Sequence, residues 1–145
     1  MVMRKFGMAV LLSLATIASA SESGVLSYRA QRSLDAGKIA KSYGQLERAL
    51  LASRKESDLR SEARVLMAMA QIRTMSLDFA FADSLLAQVR EEILDKNTNL
   101  MLLQGKAALA NAQEKFDETA KMCASADADS IKKADKPLQA AFFSE

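Results

Sequence analysis

Few side chains in this chain could do chemistry, and their spacing argues against each familiar use. There is no His, so the commonest general base and the commonest nitrogen ligand for a metal are both missing. A serine nucleophile would need a Lys base, and no motif pairs the two. Gly105-Lys106 falls inside a helical pattern and lacks the further glycines and the hydroxyl residue of a phosphate-binding loop. Glu91-Glu92 and the pair Asp127 and Asp129 lie on polar stretches. Asp127-Ala128-Asp129 lacks the Gly and the closing Glu of a calcium loop, so it reads as a solvated acidic loop. Met67, Met69 and Met75 share one helical segment, where a run of Met reads as core filling. No catalytic residue, cofactor or metal is expected, and an enzyme is the least favoured class.

The one Cys, Cys123, excludes an intramolecular disulfide. It falls in register with Leu46 and Leu86 and is expected to be a small buried hydrophobe; a thiol that pairs between chains is the alternative.

The first twenty residues read as a segment apart. Arg4 and Lys5 precede an uncharged apolar run from Phe6 to Ser19, and Ala18-Ser19-Ala20 closes it. That combination predicts a cleaved secretory signal, with Ser21 as the first mature residue. A membrane span or a buried helix is the alternative, but the run is shorter than the roughly 20 apolar residues a spanning helix needs. No Cys follows the site, so a lipid anchor there is not expected. No later segment is long and apolar enough to span a membrane. The reading is therefore a signal over 1–20 and one domain over 21–145, in an exported protein that would be periplasmic or secreted if bacterial.

What must position any site is helical. One Pro and five Gly in 145 residues leave little to break helices, and good helix formers dominate. Apolar residues recur at spacings of three and four, with no sustained strand alternation. Val65, Met69 and Ile72 share one helical face, and Leu85, Leu86, Val89 and Ile93 another. The pattern predicts an all-α chain of three antiparallel hairpins, a short α-solenoid. Their helices run near 24–36 and 38–54, 59–75 and 78–95, and 99–112 and 115–124. Gly37 suits a positive φ between the first two helices. Residues 55–58 and 96–99 are the polar breaks, Ser76-Leu77 the second turn, and Thr98 or Asn99 the N-cap of the fifth helix. Residues 124–130 read as a loop. Pro137 opens a last helix, 137–143, whose Leu138, Ala141 and Phe142 would pack over the open end as a cap.

One pattern recurs three times around Ile39, Phe79 and Phe116. Thirteen residues earlier stand Leu26, Leu66 and Leu103; nine earlier, Ala30, Ala70 and Ala107. Three later come Ser42, Ala82 and Thr119; seven later, Leu46, Leu86 and Cys123; ten later, Ala49, Val89 and Ala126. Such self-similarity predicts stacked helical hairpins, because one hairpin cannot bury its apolar face alone. A plain helical bundle with chance recurrence is the alternative.

Over residues 24–126 this pattern resembles the tetratricopeptide repeat family, with its small residue inside the first helix and its A-x-x-x-F step in the second. Here that step becomes Ser42 to Leu46, Ala82 to Leu86 and Thr119 to Cys123. The chain departs from the family in having no Trp and no Pro closing a repeat. Its first-helix Tyr position holds Ser33, Arg73 and Ala110, and its spacings are 40 and 37 residues. The resemblance implies a concave groove lined by the first helices, taking a peptide or a partner helix. By register it assigns to that groove Arg64 and Met101, then Met67 and Gln104, then Gln31 and Gln71, with Asp35, Thr74, Met75 and Asn111 at the far edge. Side-chain amides there can bind extended backbone, and Met supplies adaptable apolar contact.

Charge narrows the partners. Removing Arg4 and Lys5 leaves 18 basic residues against 18 acidic, which gives no general grip on nucleic acid or anionic lipid. The charges are unevenly placed: residues 21–75 carry 10 basic and 6 acidic groups, and residues 76–145 carry 8 and 12. Two classes of function follow. One is an exported scaffold binding a protein or peptide partner in the groove, as in envelope assembly or secretion. The other is a structural, self-assembling helical module that uses the charge asymmetry or Phe142-Phe143.

Overall fold

Four helix ends in this chain are built the same way. In the computed structural model, residues 21–126 are the ones described. They form α1 (Glu22–Asp35), α2 (Ile39–Lys55), α3 (Leu59–Met75), α4 (Phe79–Ala87), a 3-10 turn (Glu91–Ile93), α5 (Lys96–Ala112) and α6 (Phe116–Ser125). The breaks at 36–38, 56–58, 76–78 and 113–115 each hold a residue of positive φ: Gly37 at 74°, Ser57 at 54°, Leu77 at 61° and Glu114 at 61°. The next residue's N–H then reaches back to the last turn. Lys38 donates to the Ser33 carbonyl at 2.8 Å, and Asp58 to Ser53, Asp78 to Arg73 and Lys115 to Ala110 at 2.9 Å each. This is the Schellman arrangement, which satisfies carbonyls a helix end would leave orphaned. Turns this short make successive helices antiparallel neighbours.

The result is all-α, three helical hairpins packed in chain order. Helix α3 lies at the centre, against α1, α2, α4 and α5. Every residue from Ala63 to Ala70 is buried, as expected of a helix covered on nearly all sides. The recurrent small residues lie inside their hairpins: Ala30, Ser42, Ala70, Ala82, Ala107 and Thr119 are all buried. In the first hairpin the approach is close enough for the Ser42 hydroxyl to donate to the Ala30 carbonyl at 2.8 Å. Leu26, Leu46, Leu66 and Leu86 fill the gaps between helices.

The second hairpin departs from the expected 78–95 helix. Helix α4 stops at Ala87, and the Gln88 and Val89 N–H groups turn back to Leu85 and Leu86. That turn buries Val89 and leaves Ile93, expected on the same face as Leu85, 47% exposed. The connection is tied down by side chains: Arg54 bonds Glu62 at 2.9 Å and Gln88 at 3.0 Å, and Lys106 bonds Glu91. Helix α5 also starts earlier than expected, because its N-cap is Asp95 and not Thr98 or Asn99. The Asp95 carboxylate accepts the Thr98 N–H at 2.8 Å, a stronger cap than a hydroxyl gives. The expected signal over 1–20, the loop after residue 126 and the helix over 137–143 lie outside the described residues.

Candidate partner-binding face

The face assigned to partner binding belongs to α1, α3 and α5, which neighbour one another in that order. Its expected residues fall into two groups. Gln31, Arg64, Met67 and Met101 are buried, each at most 5% exposed, so they offer a partner almost no surface. Two of them, Met67 and Met101, belong to the main hydrophobic cluster. The cause is the central position of α3, whose flanks are shared with α1 and α5. Gln71, Thr74, Met75 and Gln104 are half-buried, and Asp35 and Asn111 are exposed. The accessible part of the face is therefore its later rows.

Two polar groups on this face have notable surroundings. The Gln31 amide donates to Asp35 Oδ1 at 2.7 Å, while its buried Oε1 accepts no hydrogen bond. A buried acceptor left without a donor costs about 1–3 kcal/mol. The Arg60 guanidinium bridges Asp95 at 3.0 Å, and the charge of the buried Arg64 also acts on that carboxylate. Burial pushes the Asp95 carboxyl up, but the Thr98 N–H bond and the two Arg charges outweigh it, so its pKa lies below the usual carboxylate value. Arg60 thus ties α3 to the N-cap of α5. Thr74 spends its hydroxyl on the Ala70 carbonyl at 2.9 Å.

Arg73, at the position where the resembled family has Tyr, has a separate role. Its guanidinium lies 4.2 Å from the Tyr43 ring centroid and 4.6 Å from that of Phe81, with Asp78 at 3.6 Å. It clamps α2, α3 and α4 by cation–π contact. Asp95 and Arg73 were not singled out as site residues from the sequence. The Asp95-to-Thr98 spacing is a capping signal that could have been read, whereas the Arg73 stack depends on three helices and has no local signal. The six-residue apolar run Val65–Ala70 was also a sign that α3 has no polar face.

Among the described residues there is no group of three or more His, Cys, Asp or Glu that could hold a metal, and no helix long and apolar enough to cross a membrane. Comparisons with protein-family models, with curated proteins and with solved structures found no match.

Proposed function

We propose that this protein is an exported, non-enzymatic scaffold that holds a peptide or partner protein against the face of α1, α3 and α5, in the manner of a tetratricopeptide-like repeat, within an envelope assembly or secretion process. The observation that carries this reading is the set of accessible amides on that face, the half-buried Gln71 and Gln104 with the exposed Asn111. An extended backbone brings N–H groups that such amide oxygens can accept, and carbonyls for the amide nitrogens. The Lys/Arg clamp that would grip a terminal carboxylate is missing from this row, since Arg64 is buried. That favours an internal stretch of chain over a C-terminus as the ligand.

The test is affinity of the partner recovered with the protein from its native envelope fraction. Gln71→Ala, Gln104→Ala and Asn111→Ala combined should weaken it by about tenfold or more, as for the loss of central contacts. Exchange of Glu92, exposed in the 3-10 turn, should do little. A folded triple variant that binds like the parent would remove the face from consideration.

A further inference from the structure

The first turn of α1 is held by a residue from far along the chain. Ser21 is the N-cap of α1: its Oγ accepts the Gly24 N–H at 3.0 Å, and its carbonyl accepts the Val25 N–H at 3.0 Å. The third helical position is Gly24, so α1 has no Glu or Gln of its own to close a capping box. Glu56, the C-cap residue of α2, supplies a carboxylate from 33 positions beyond Ser23. Its Oε1 accepts the Ser23 N–H at 3.3 Å and its Oε2 the Ser23 hydroxyl at 2.8 Å. A carboxylate at a C-cap opposes the dipole of its own helix and suits the N-terminus of another, so the placement of Glu56 favours α1. Ser23 is 1% exposed. Its Oγ lies 3.1 Å from that of Ser21, and its carbonyl accepts the Ser27 hydroxyl at 2.8 Å.

These residues directly follow the Ala20–Ser21 bond, where the sequence places the end of a secretory signal. Hydrolysis of that bond consumes one water: Ala20 leaves with a carboxylate and Ser21 keeps an amine. A peptidase grips the chain in extended form on both sides of the bond it cuts. Glu22 and Ser23 are helical, so they must unwind first, and the hydrogen bonds to Glu56 must open with them. Cleavage of the folded chain then follows the population of that local opening. We propose that Glu56 and Ser23 form a latch that closes the Ala20–Ser21 bond to signal peptidase once α1 and α2 have folded together. This inference rests on the reading of the protein as exported. In a chain threaded from its N-terminus, Ser21 is available before Glu56 arrives, and cleavage belongs to that interval. A chain processed in time folds with Ser21 at its terminus. A chain that folds first keeps its signal.

Cleavage of the full-length chain by a bacterial signal peptidase in detergent micelles tests it, with mass spectrometry locating the cut. The unfolded reference is the full-length Leu46→Asp chain, in which a carboxylate replaces a fully buried core side chain; circular dichroism checks that it is unfolded. The folded parent should be cut after Ala20 at least about tenfold more slowly than this reference, because only its open fraction is a substrate. Glu56→Ala removes both bonds to Ser23 and should speed cleavage of the folded parent at least about fivefold. Added to Leu46→Asp, it should change nothing, since that chain has no latch to lose. A folded parent cut as fast as Leu46→Asp overturns the latch and leaves the signal reading intact. A Glu56→Ala chain that is folded and cut at the parent's rate also overturns it, as does an equal acceleration in the unfolded background. If Leu46→Asp is not cut after Ala20, the export reading fails, and the latch with it.

Discussion

Helices α2 and α6 hold corresponding places in the repeat and live in different surroundings. Helix α2 buries Ser42, Tyr43, Leu46, Ala49, Leu50, Ala52 and Ser53. Helix α6 buries Thr119 alone. Both open after a Schellman turn and both carry the small residue three positions in. Among the described helices the difference is the neighbour: α2 lies between α1 and α3, whereas α6 packs mainly on α5. Register decides which residues can be buried, and the following helix decides whether they are. The expectation of a buried Cys123, drawn from its alignment with Leu46 and Leu86, failed for this reason.

The comparison can be broken most severely at the covered positions. Leu86→Asp places a carboxylate in the cluster between α4 and its neighbours. With no partner for the charge, the cost is several kcal/mol, comparable to the whole stability of a small domain. Circular dichroism should show an unfolded chain at 25 °C. A melting temperature within a few degrees of the parent would mean that Leu86 is not interior.

Truncation measures the asymmetry more finely. Leu46→Ala should cost about 2–5 kcal/mol in denaturant titration, because Leu46 is fully buried. Cys123→Ala at the same register should cost less than about 1 kcal/mol, because a half-buried side chain leaves a smaller void. Equal costs would contradict the account of α6.

The turns give a stabilising test. Leu77 holds φ 61° and is 72% exposed, so its side chain adds strain without burial. Leu77→Gly should raise stability by about 1 kcal/mol. The same exchange at Gly37 is already made by nature, and Gly37→Leu should lose a similar amount. A neutral result at both turns would show that the positive φ costs nothing there.

Asp95 supplies the smallest effect. Its pKa is lower in the folded state than the ordinary value near 4. Its contribution is therefore present above that value and is lost as pH falls through the folded pKa. Its side chain is 37% exposed, so the pH-dependent part should stay below about 1 kcal/mol. Asp95→Asn should flatten the decline in stability below about pH 4. An unchanged slope would remove Asp95 as a source of it.

These cases also separate what could be read in the sequence from what could not. Among the described residues, the three hairpins and their order followed from the 3.6-residue periodicity and the small-residue positions, because both act over a few turns of chain. Gly37 announced its turn, but Ser57, Leu77 and Glu114 take the same conformation without a glycine signal. Helix α4 ends at Ala87 although apolar residues continue through Val89 and Ile93; the chain turns with Val89 still buried and Ile93 47% exposed, and no local signal marks the stop. The proposed binding face was mapped by register, and register does not report that α3 is surrounded. Arg64 and Met67 were therefore assigned to a surface that they do not reach.

The account's central claim is that a second helix is locked only when the next first helix covers it. Native-state hydrogen exchange read by mass spectrometry tests it directly. The amides of α2 should exchange through global unfolding and those of α6 through local opening, at least about tenfold faster. Equal protection along α2 and α6 would contradict the claim.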